Sequence, residues 1–524
     1  MHLNSVPVPE ISRSAFEGCS KLESVVLPEG FTKIGVSAFY DCDKLTTMPI
    51  PATVKQIGNA AFGGCTALTE VDFLGTVIDW MQIEFADEGA NPCSNGAALK
   101  CKGREVVAIN VMPKVGKLRP YAFSGCTSLV SVDIMDGITE IGTKAFSNCT
   151  SLESITFPDQ GLTSISEWAF QGCETLKKVM VPSVEMFLSV EMGGLYANPL
   201  TYGASLIVRD GGSYSTPLAD LVIPAAITEI GQYAFIGCGS LKTVTLHDGV
   251  TAVGASAFQG CKALESVTFP AVSGIGMAAF SSCAALKSVV LPETVVELGE
   301  QAFMDCQSLA SVGLPSTLTS LPAYIFSGCG SLATIGLPDG VEIIGASAFH
   351  NCISLSAVNF PQVLNQIEER AFMGTAIPYA IIESPELSRI GGQAFYGCAA
   401  LTEVSLPASV TFVGPEAFAM SSPSKFTCLA VTPPTTAANL CDEDVYTSCP
   451  LYVTEQSVAS YRAANGWSKF HNISSSGLSS IDGVEAVEDN APAVYYNLQG
   501  ERVEVPGGGF YIVVRGSKVT KERL

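Results

Sequence analysis

The sequence has few basic residues: 28 Lys and Arg stand against 50 Asp and Glu, which gives a net charge of −22. Nucleic-acid binding needs a basic stripe that neutralises phosphates, so this balance excludes nucleic acid as a partner. No apolar run reaches the roughly 18 residues that a membrane-spanning helix requires. The hydrophobic fraction of 47% therefore indicates repeated buried positions in a chain without a membrane span.

Residues and motifs typical of catalytic sites are also scarce. The four histidines, His2, His247, His350 and His471, show no metal-ligand spacing, and no C-x-x-C pair occurs. No nucleophile elbow, P-loop or dinucleotide fingerprint lies between a strand and a helix. The densest acidic run, residues 442–444, is either a weak calcium site or a solvated turn, since the EF-hand loop pattern is absent. We expect no metal, no cofactor and no catalytic residue, so the protein is predicted not to be an enzyme.

What the sequence has in abundance is one pattern, I-G-x-x-A-F-x-x-C-x-x-L, as in residues 34–45. Most consecutive copies lie 23 residues apart, and a fixed period in this range predicts a solenoid. The phenylalanine of the pattern recurs at Phe16, Phe39, Phe62, Phe123, Phe146, Phe170, Phe235, Phe258, Phe280, Phe303, Phe326, Phe349, Phe372, Phe395 and Phe418.

Each copy continues as L-x-x-V-x-L-P, as in residues 264–270. Val267 and Phe269 alternate with polar neighbours, which predicts a half-buried strand, and Pro270 ends it because proline cannot donate to a sheet. A short apolar piece and a glycine follow, and the Ala-Phe segment is predicted to form one helical turn. Each repeat is then a strand, a turn, a short strand and a helical turn, with its apolar positions buried against the next copy.

The combined pattern, I-G-x-x-A-F-x-x-C-x-x-L-x-x-V-x-L-P, resembles the BspA-like class of bacterial leucine-rich repeats over roughly residues 11–427. The resemblance implies a leucine-rich-repeat solenoid of short parallel strands and helical turns, with about fifteen repeats of 23 residues. It also implies a cell-surface or extracellular protein, here expected to be a monomer, that adheres to host extracellular-matrix proteins or to other cells. Fold does not fix the ligand, so carbohydrate capture and a structural spacer without a ligand remain alternatives. Carbohydrate capture predicts exposed aromatic platforms, and Trp80, Trp168 and Trp467 are few and scattered.

Thirteen of the 18 cysteines occupy one position of the repeat, and Thr375 and Ser421 fill it in two other copies. Small substitutes indicate a small, buried side chain, and free cysteine packs as a small hydrophobe. Neighbouring copies would lie roughly 5 Å apart, which allows disulfides, although parallel Cβ directions favour free thiols. A disulfide is more plausible among Cys428, Cys441 and Cys449, near the C-terminus. The longest uninterrupted series, the predicted structural ladder, is Cys238, Cys261, Cys283, Cys306, Cys329 and Cys352.

The outward positions of the predicted strands are mostly small hydroxyl residues. They would form columns along the solenoid and allow close approach of a flat protein or glycan partner. The alternative is that serine and threonine are merely tolerated on a solvated, pleated face. The predicted partner-binding residues are Ser131, Asp133, Ser154, Thr156, Thr243, Thr245, Ser266, Thr268, Ser288, Ser311 and Thr334.

Two insertions of similar sequence interrupt the repeat, one containing Ala-Asn-Pro at residues 90–92 and the other at 197–199. Insertions often form ligand-contacting loops, but the duplication favours larger coils whose helix covers the core, with Trp80 inside. The predicted division is a solenoid at 1–427 with expanded repeats at about 71–120 and 180–228, a cap at 428–473, a linker at 474–492 and a β tail at 493–524.

The C-terminal stretch reads Y-N-L-Q-G-x-R-V, then G-F-Y-I-V, then a basic strand, and is predicted to form three short strands. It resembles the C-terminal tail of many secreted Bacteroidetes-type proteins, which implies a role in export or surface attachment. The alternative is a small all-β accessory sheet without a sorting role.

Overall fold

The computed structural model describes residues 10–436, 439–475, 494–496, 502–503, 510–515 and 518–523. The chain divides into two compact units: residues 1–219 with 231–241, and residues 220–230 with 242–524. We call them the first unit and the second unit. In each, successive coils pair a longer strand and a two-residue strand in parallel with those of the next coil. The predicted parallel-strand solenoid with a period of about 23 residues is confirmed.

The first unit contains two sheets of longer strands and two sheets of short strands. The longer strands are Thr47–Ile50, Glu70–Phe73, Ala98–Cys101 with the antiparallel Arg104–Glu105, and then Ala108–Val111, Ser131–Ile134, Ser154–Thr156, Lys178–Val181 and Ser205–Val208. The short strands are Glu10–Ile11, Lys33–Ile34, Gln56–Ile57 and Glu84–Phe85, and then Lys117–Leu118, Glu140–Ile141, Ser164–Ile165 and Glu191–Met192.

The second unit repeats this plan. Its strands on the longer-strand side are Asp220–Val222, Thr243–Thr245, Ser266–Thr268, Ser288–Val290 and Ser311–Gly313; Thr334–Ile335 and Ala357–Val358; and Tyr379–Ile381, Glu403–Leu406, Lys425–Cys428, Leu451–Val453 and Ile473–Ser474. Its short strands are Glu229–Ile230, Ala252–Val253, Gly274–Ile275 and Glu297–Leu298, and then Ser320–Leu321, Ile343–Ile344, Gln366–Ile367, Arg389–Ile390 and Phe412–Val413.

The helices that the structure describes are short. The α-helices are Val77–Trp80 and Val184–Leu188 in the first unit, and Glu443–Ser448 and Val458–Ala463 in the second. Single 3-10 turns occur at Glu88–Ala90, Pro92–Asn95, Pro113–Val115, Leu195–Ala197, Glu455–Ser457 and Trp467–Lys469.

The Ala-Phe segment forms consecutive tight turns instead of the predicted helical turn. Ser37 and Asp41 have φ of 53° and 56°, and this left-handed backbone interrupts an α-helix. Between these two residues, successive backbone N–H groups donate alternately within the coil and to the next coil. Tyr40 donates to Ser37 within the coil at 3.1 Å, whereas Phe39 donates to Ala61 of the next coil at 2.8 Å. The turns therefore join neighbouring coils as a sheet does, which an α-helix could not do because its N–H groups bond within the helix.

The phenylalanines of the repeat stack in the core, as predicted. Every one from Phe39 to Phe418 is fully buried, and only Phe16, in the first described coil, is half-buried. Phe303 lies between Phe280 and Phe326, with ring centroids 5.6 and 6.0 Å away. Each coil thus covers the apolar face of the one before it, the arrangement expected of a solenoid.

Both insertions fold as larger coils. Trp80 is fully buried, and its indole N–H donates to the carbonyl oxygen of Ala122 at 2.7 Å, so it belongs to the core. In the second insertion, Asn198 is buried; its Nδ2 donates to the carbonyls of Tyr233 and Ala234 at 2.8 and 3.0 Å. Asn91 makes the matching contacts in the first insertion. The asparagine side chains thus donate hydrogen bonds to backbone carbonyls at the points where the insertions interrupt the regular spacing of the coils.

Beyond the last regular coil, strand Lys425–Cys428 pairs with Leu451–Val453, which pairs with Ile473–Ser474. Trp467 is buried there and donates its indole N–H to the carbonyl of Pro434 at 2.8 Å. The cap is predicted in this segment, and this assignment, like the four-part division of the chain, stays a prediction. The predicted linker, apart from its first two residues, lies outside the described residues.

The described backbone of the C-terminal tail forms an antiparallel sheet of four strands, Val494–Tyr496, Arg502–Val503, Phe510–Arg515 and Lys518–Arg523. The sequence pattern predicted three. The difference is that the first predicted strand corresponds to two described strands, which pair antiparallel with Tyr495 opposite Val503.

Candidate partner-binding surface

The outward side chains of the longer strands form what we call the strand face. In the second unit, Thr243, Ser266, Ser288 and Ser311 pair in register across four successive strands. Because paired residues of neighbouring strands point to the same side, these side chains form one column. Asp220 extends the column, and its Oδ1 accepts a hydrogen bond from the Thr243 hydroxyl at 2.7 Å.

A second column runs beside the first. Thr245 pairs with Thr268 and, on its other side, with Val222. Val222 is 67% exposed, and Val290, the outward residue of the strand Ser288–Val290, is 41% exposed. The strand face of the second unit thus combines small hydroxyls with exposed valines.

The first unit carries a separate strand face. Ser131 pairs with Ser154, and Asp133 pairs with Thr156, so the four predicted residues lie in two registered columns. Lys178 follows Ser154 in its column, which places a cation after the hydroxyl pair. Asp133 and Lys178 are exposed, whereas the other three are half-buried.

Two predicted residues add little to the exposed part of the strand face in the second unit. Ser311 is only 2% exposed, so the prediction that it faces a partner is wrong. All three residues of its strand are buried, including the outward Gly313. Thr334 lies in a separate two-stranded sheet, where it pairs with Ala357.

The sequence analysis missed Asp220, Val222 and Val290 as members of the strand face. A signal was present, because residues 220–224 read D-L-V-I-P and match the strand pattern with leucine in place of valine.

The repeated cysteines contribute one hydrogen bond per coil in most copies. The thiol of Cys306 donates to the carbonyl of Phe280 at 3.2 Å, and that of Cys352 to Phe326 at 3.1 Å. Burial raises the pKa of both thiols to about 12, so they stay protonated and unreactive at neutral pH. All 18 cysteines are free thiols in this structure, and only Cys19 is exposed.

Within the predicted ladder, Cys238 belongs to the first unit and the other five cysteines to the second. Where Thr375 fills the position, its hydroxyl donates instead to the carbonyl of Phe372 in its own coil at 2.9 Å. The position therefore selects a small buried donor, which is a structural role.

Among the described residues, no group of three or more His, Cys, Asp or Glu is arranged to hold a metal ion. The acidic run at 442–444 begins the helix Glu443–Ser448, and Asp442 Oδ2 accepts a hydrogen bond from the backbone N–H of Met420 at 2.7 Å. Acidic side chains stabilise the start of a helix, which accounts for this run. In the described part of the chain, no helix is both long and apolar enough to cross a bilayer.

A family model described as a BspA type leucine-rich repeat region, with six copies, matches residues 3–88, 101–190, 213–333 and 319–432. The chain is similar to the crystal structure of a leucine-rich repeat protein from Bacteroides ovatus, at 25% identity over 76% of this chain and 82% of that chain, with a TM-score of 0.43. A leucine-rich cell surface protein from Faecalibacterium prausnitzii is 24% identical over 66% of this chain and 87% of that chain, with a TM-score of 0.37. No curated protein matches the chain.

Proposed function

The chain belongs to the BspA-type leucine-rich repeat family, and from this premise we propose that it is a non-catalytic recognition protein located at the cell surface or outside the cell. Its partner in this proposal is a protein, either a host extracellular-matrix protein or a protein on another cell. The C-terminal tail is proposed to serve export or attachment, because its sequence resembles tails with that role.

The observation that carries the proposal is the strand face of the second unit. Ser266 and Thr268 are both exposed and lie in adjacent columns, each continued in register by Thr243 and Thr245. Short side chains let a partner's surface approach the sheet closely, and the exposed valines add apolar area that burial would stabilise. Asp220 at the edge of the surface and the net charge of −22 favour a basic partner surface.

The test is a solid-phase binding assay of the intact protein on immobilised extracellular-matrix proteins and on a glycan array. The double variant Ser266→Lys with Thr268→Lys puts two long cations where a basic partner would dock. We expect it to weaken matrix-protein binding by about tenfold or more, because like charges across an interface oppose association.

The matched control is Thr319→Lys with Ser320→Lys, which makes the same charge change at two exposed positions, one just before and one within a short strand of the same unit. This control should bind as the parent protein does. Equal loss in both double variants would show a general charge effect and contradict the strand-face site. Binding to no protein and no glycan would favour the structural spacer.

A further inference from the structure

Trp168 differs from the other two tryptophans. Trp80 and Trp467 are fully buried, whereas Trp168 is 43% exposed. It lies in the turn of its coil, away from the strand face, with a left-handed φ of 58°. An exposed aromatic ring of this size gives up the stabilisation that burial in the core would provide.

One side of the Trp168 ring is occupied by a fixed cation. Lys144, at the same repeat position one coil earlier, holds its Nζ 5.7 Å from the ring centroid. The same Nζ contacts Glu88 Oε2 at 2.5 Å, and Glu88 Oε1 accepts hydrogen bonds from Ser124 and Ser147 at 3.1 Å each. This network neutralises the lysine charge and fixes its position, so the indole is held in place beside it.

Two tyrosines lie in the next coil. The backbone N–H of Phe170 donates to the carbonyl of Tyr196 at 2.9 Å, which places the two turns side by side. The ring of Tyr196 stacks on that of Tyr202 with centroids 6.0 Å apart, and the Tyr202 hydroxyl accepts a hydrogen bond from Gly172 N–H at 2.8 Å. The exposed indole therefore lies in a turn bordered by a fixed lysine on one side and a fixed tyrosine pair on the other.

We propose that Trp168 is the stacking platform of a second binding site, whose ligand is a neutral oligosaccharide. A pyranose ring has one face of C–H groups that packs on an indole, and hydroxyls at its edge for polar neighbours such as the exposed Glu167. An acidic glycan is disfavoured, because Lys144 is already paired and the protein carries a net charge of −22.

The chain offers a matched control. Tyr324, in the second unit, has the same left-handed conformation, with φ of 57°, and is 37% exposed. Its counterparts in the adjacent coils are Gln301 and Ser347, so it lacks the lysine and the tyrosine pair. Alanine occurs naturally at this position, as Ala60 with φ of 51°, so an alanine variant is compatible with the backbone.

The experiment titrates the intact protein with cellohexaose, xylohexaose, mannohexaose and maltohexaose, followed by tryptophan fluorescence and isothermal titration calorimetry. Because the other two tryptophans are buried, a ligand-induced emission shift reports Trp168. At least one of these oligomers is expected to bind. Trp168→Ala should weaken that binding by about three- to tenfold, since an aromatic contact contributes roughly a factor of that size. Trp168→Tyr should retain part of it, and Tyr324→Ala all of it.

Three results would overturn the proposal: no emission change with any of the four oligomers at millimolar concentration, unchanged affinity in Trp168→Ala, or binding of oligogalacturonate in preference to the neutral oligomers. Circular dichroism of each variant checks that the fold is intact. If Trp168→Ala misfolds, the retained affinity of Trp168→Tyr relative to Trp168→Lys decides the question.

Discussion

Replacing Phe303 by alanine tests whether the stacked phenylalanines hold the solenoid together. Phe303 is fully buried between two other rings, so its removal leaves a cavity that the neighbouring coils cannot easily fill. Truncation of a buried phenylalanine costs about 3–5 kcal/mol in free energy of unfolding. Phe16 is half-buried and stacks on one ring only, Phe39, at 5.1 Å. Phe16→Ala should therefore cost about 1 kcal/mol.

Urea unfolding measured by hydrogen exchange is the appropriate assay, because long repeat arrays need not unfold in one step. Phe303→Ala should lower the protection of backbone amides in the coils around residue 303 and leave the first unit unchanged. Ser266→Ala is the control, since Ser266 is exposed. Ser311→Ala would be a poor control because Ser311 is buried. If Phe303→Ala costs no more than Phe16→Ala, the stacked core is not what stabilises the coils.

Three further predictions follow from polar contacts. Burial alone would raise the pKa of Glu88, but the hydrogen bond and charge of Lys144, with the hydrogen bonds from two serines, outweigh it and lower this pKa. Glu88→Gln should therefore cost about 2 kcal/mol in free energy of unfolding at pH 7. The difference should vanish on acidification through the lowered pKa, as measured by urea unfolding against pH. Asn198→Ala should destabilise the first unit by about 2–3 kcal/mol, because buried carbonyls would lose their hydrogen-bond donor. Lys102→Ala, at an exposed position, should leave the unfolding midpoint of the first unit unchanged. In the native protein, a thiol reagent should modify Cys19 quickly and the buried thiols only after denaturant is added. Mass spectrometry counts the modified thiols, and rapid labelling of Cys306 would contradict its burial.

The strands could be predicted because their signal is local. Alternation around Val267 and the proline that ends the strand are visible in one copy, and repetition removes the usual ambiguity of short segments. The turn could not be predicted in the same way. Ser37 carries no glycine-like signal for its left-handed φ, and its conformation is set by hydrogen bonds to the next coil. Tertiary context overrides local preference at such positions.

The candidate surfaces were only partly predictable. The registered hydroxyl columns followed from the period, but the burial of Ser311 did not, because alternation distinguishes inward from outward positions and does not say how exposed an outward position is. The division of the chain at residues 219–242 overlaps the end of the second expanded repeat, but the sequence pattern predicted a larger coil there and no boundary between units. Trp168 was seen as one of three scattered residues; only the structure separates it from its two buried counterparts.

The sulfhydryl contacts between coils have a bearing on where and how the chain can be produced. No described coil is cross-linked covalently, because each cysteine is a free thiol. Because packing and hydrogen bonds join the coils in this structure, we expect the fold to form both in the glutathione-buffered interior of an expression host and in an oxidising medium. Material purified with and without reductant is expected to melt at the same temperature.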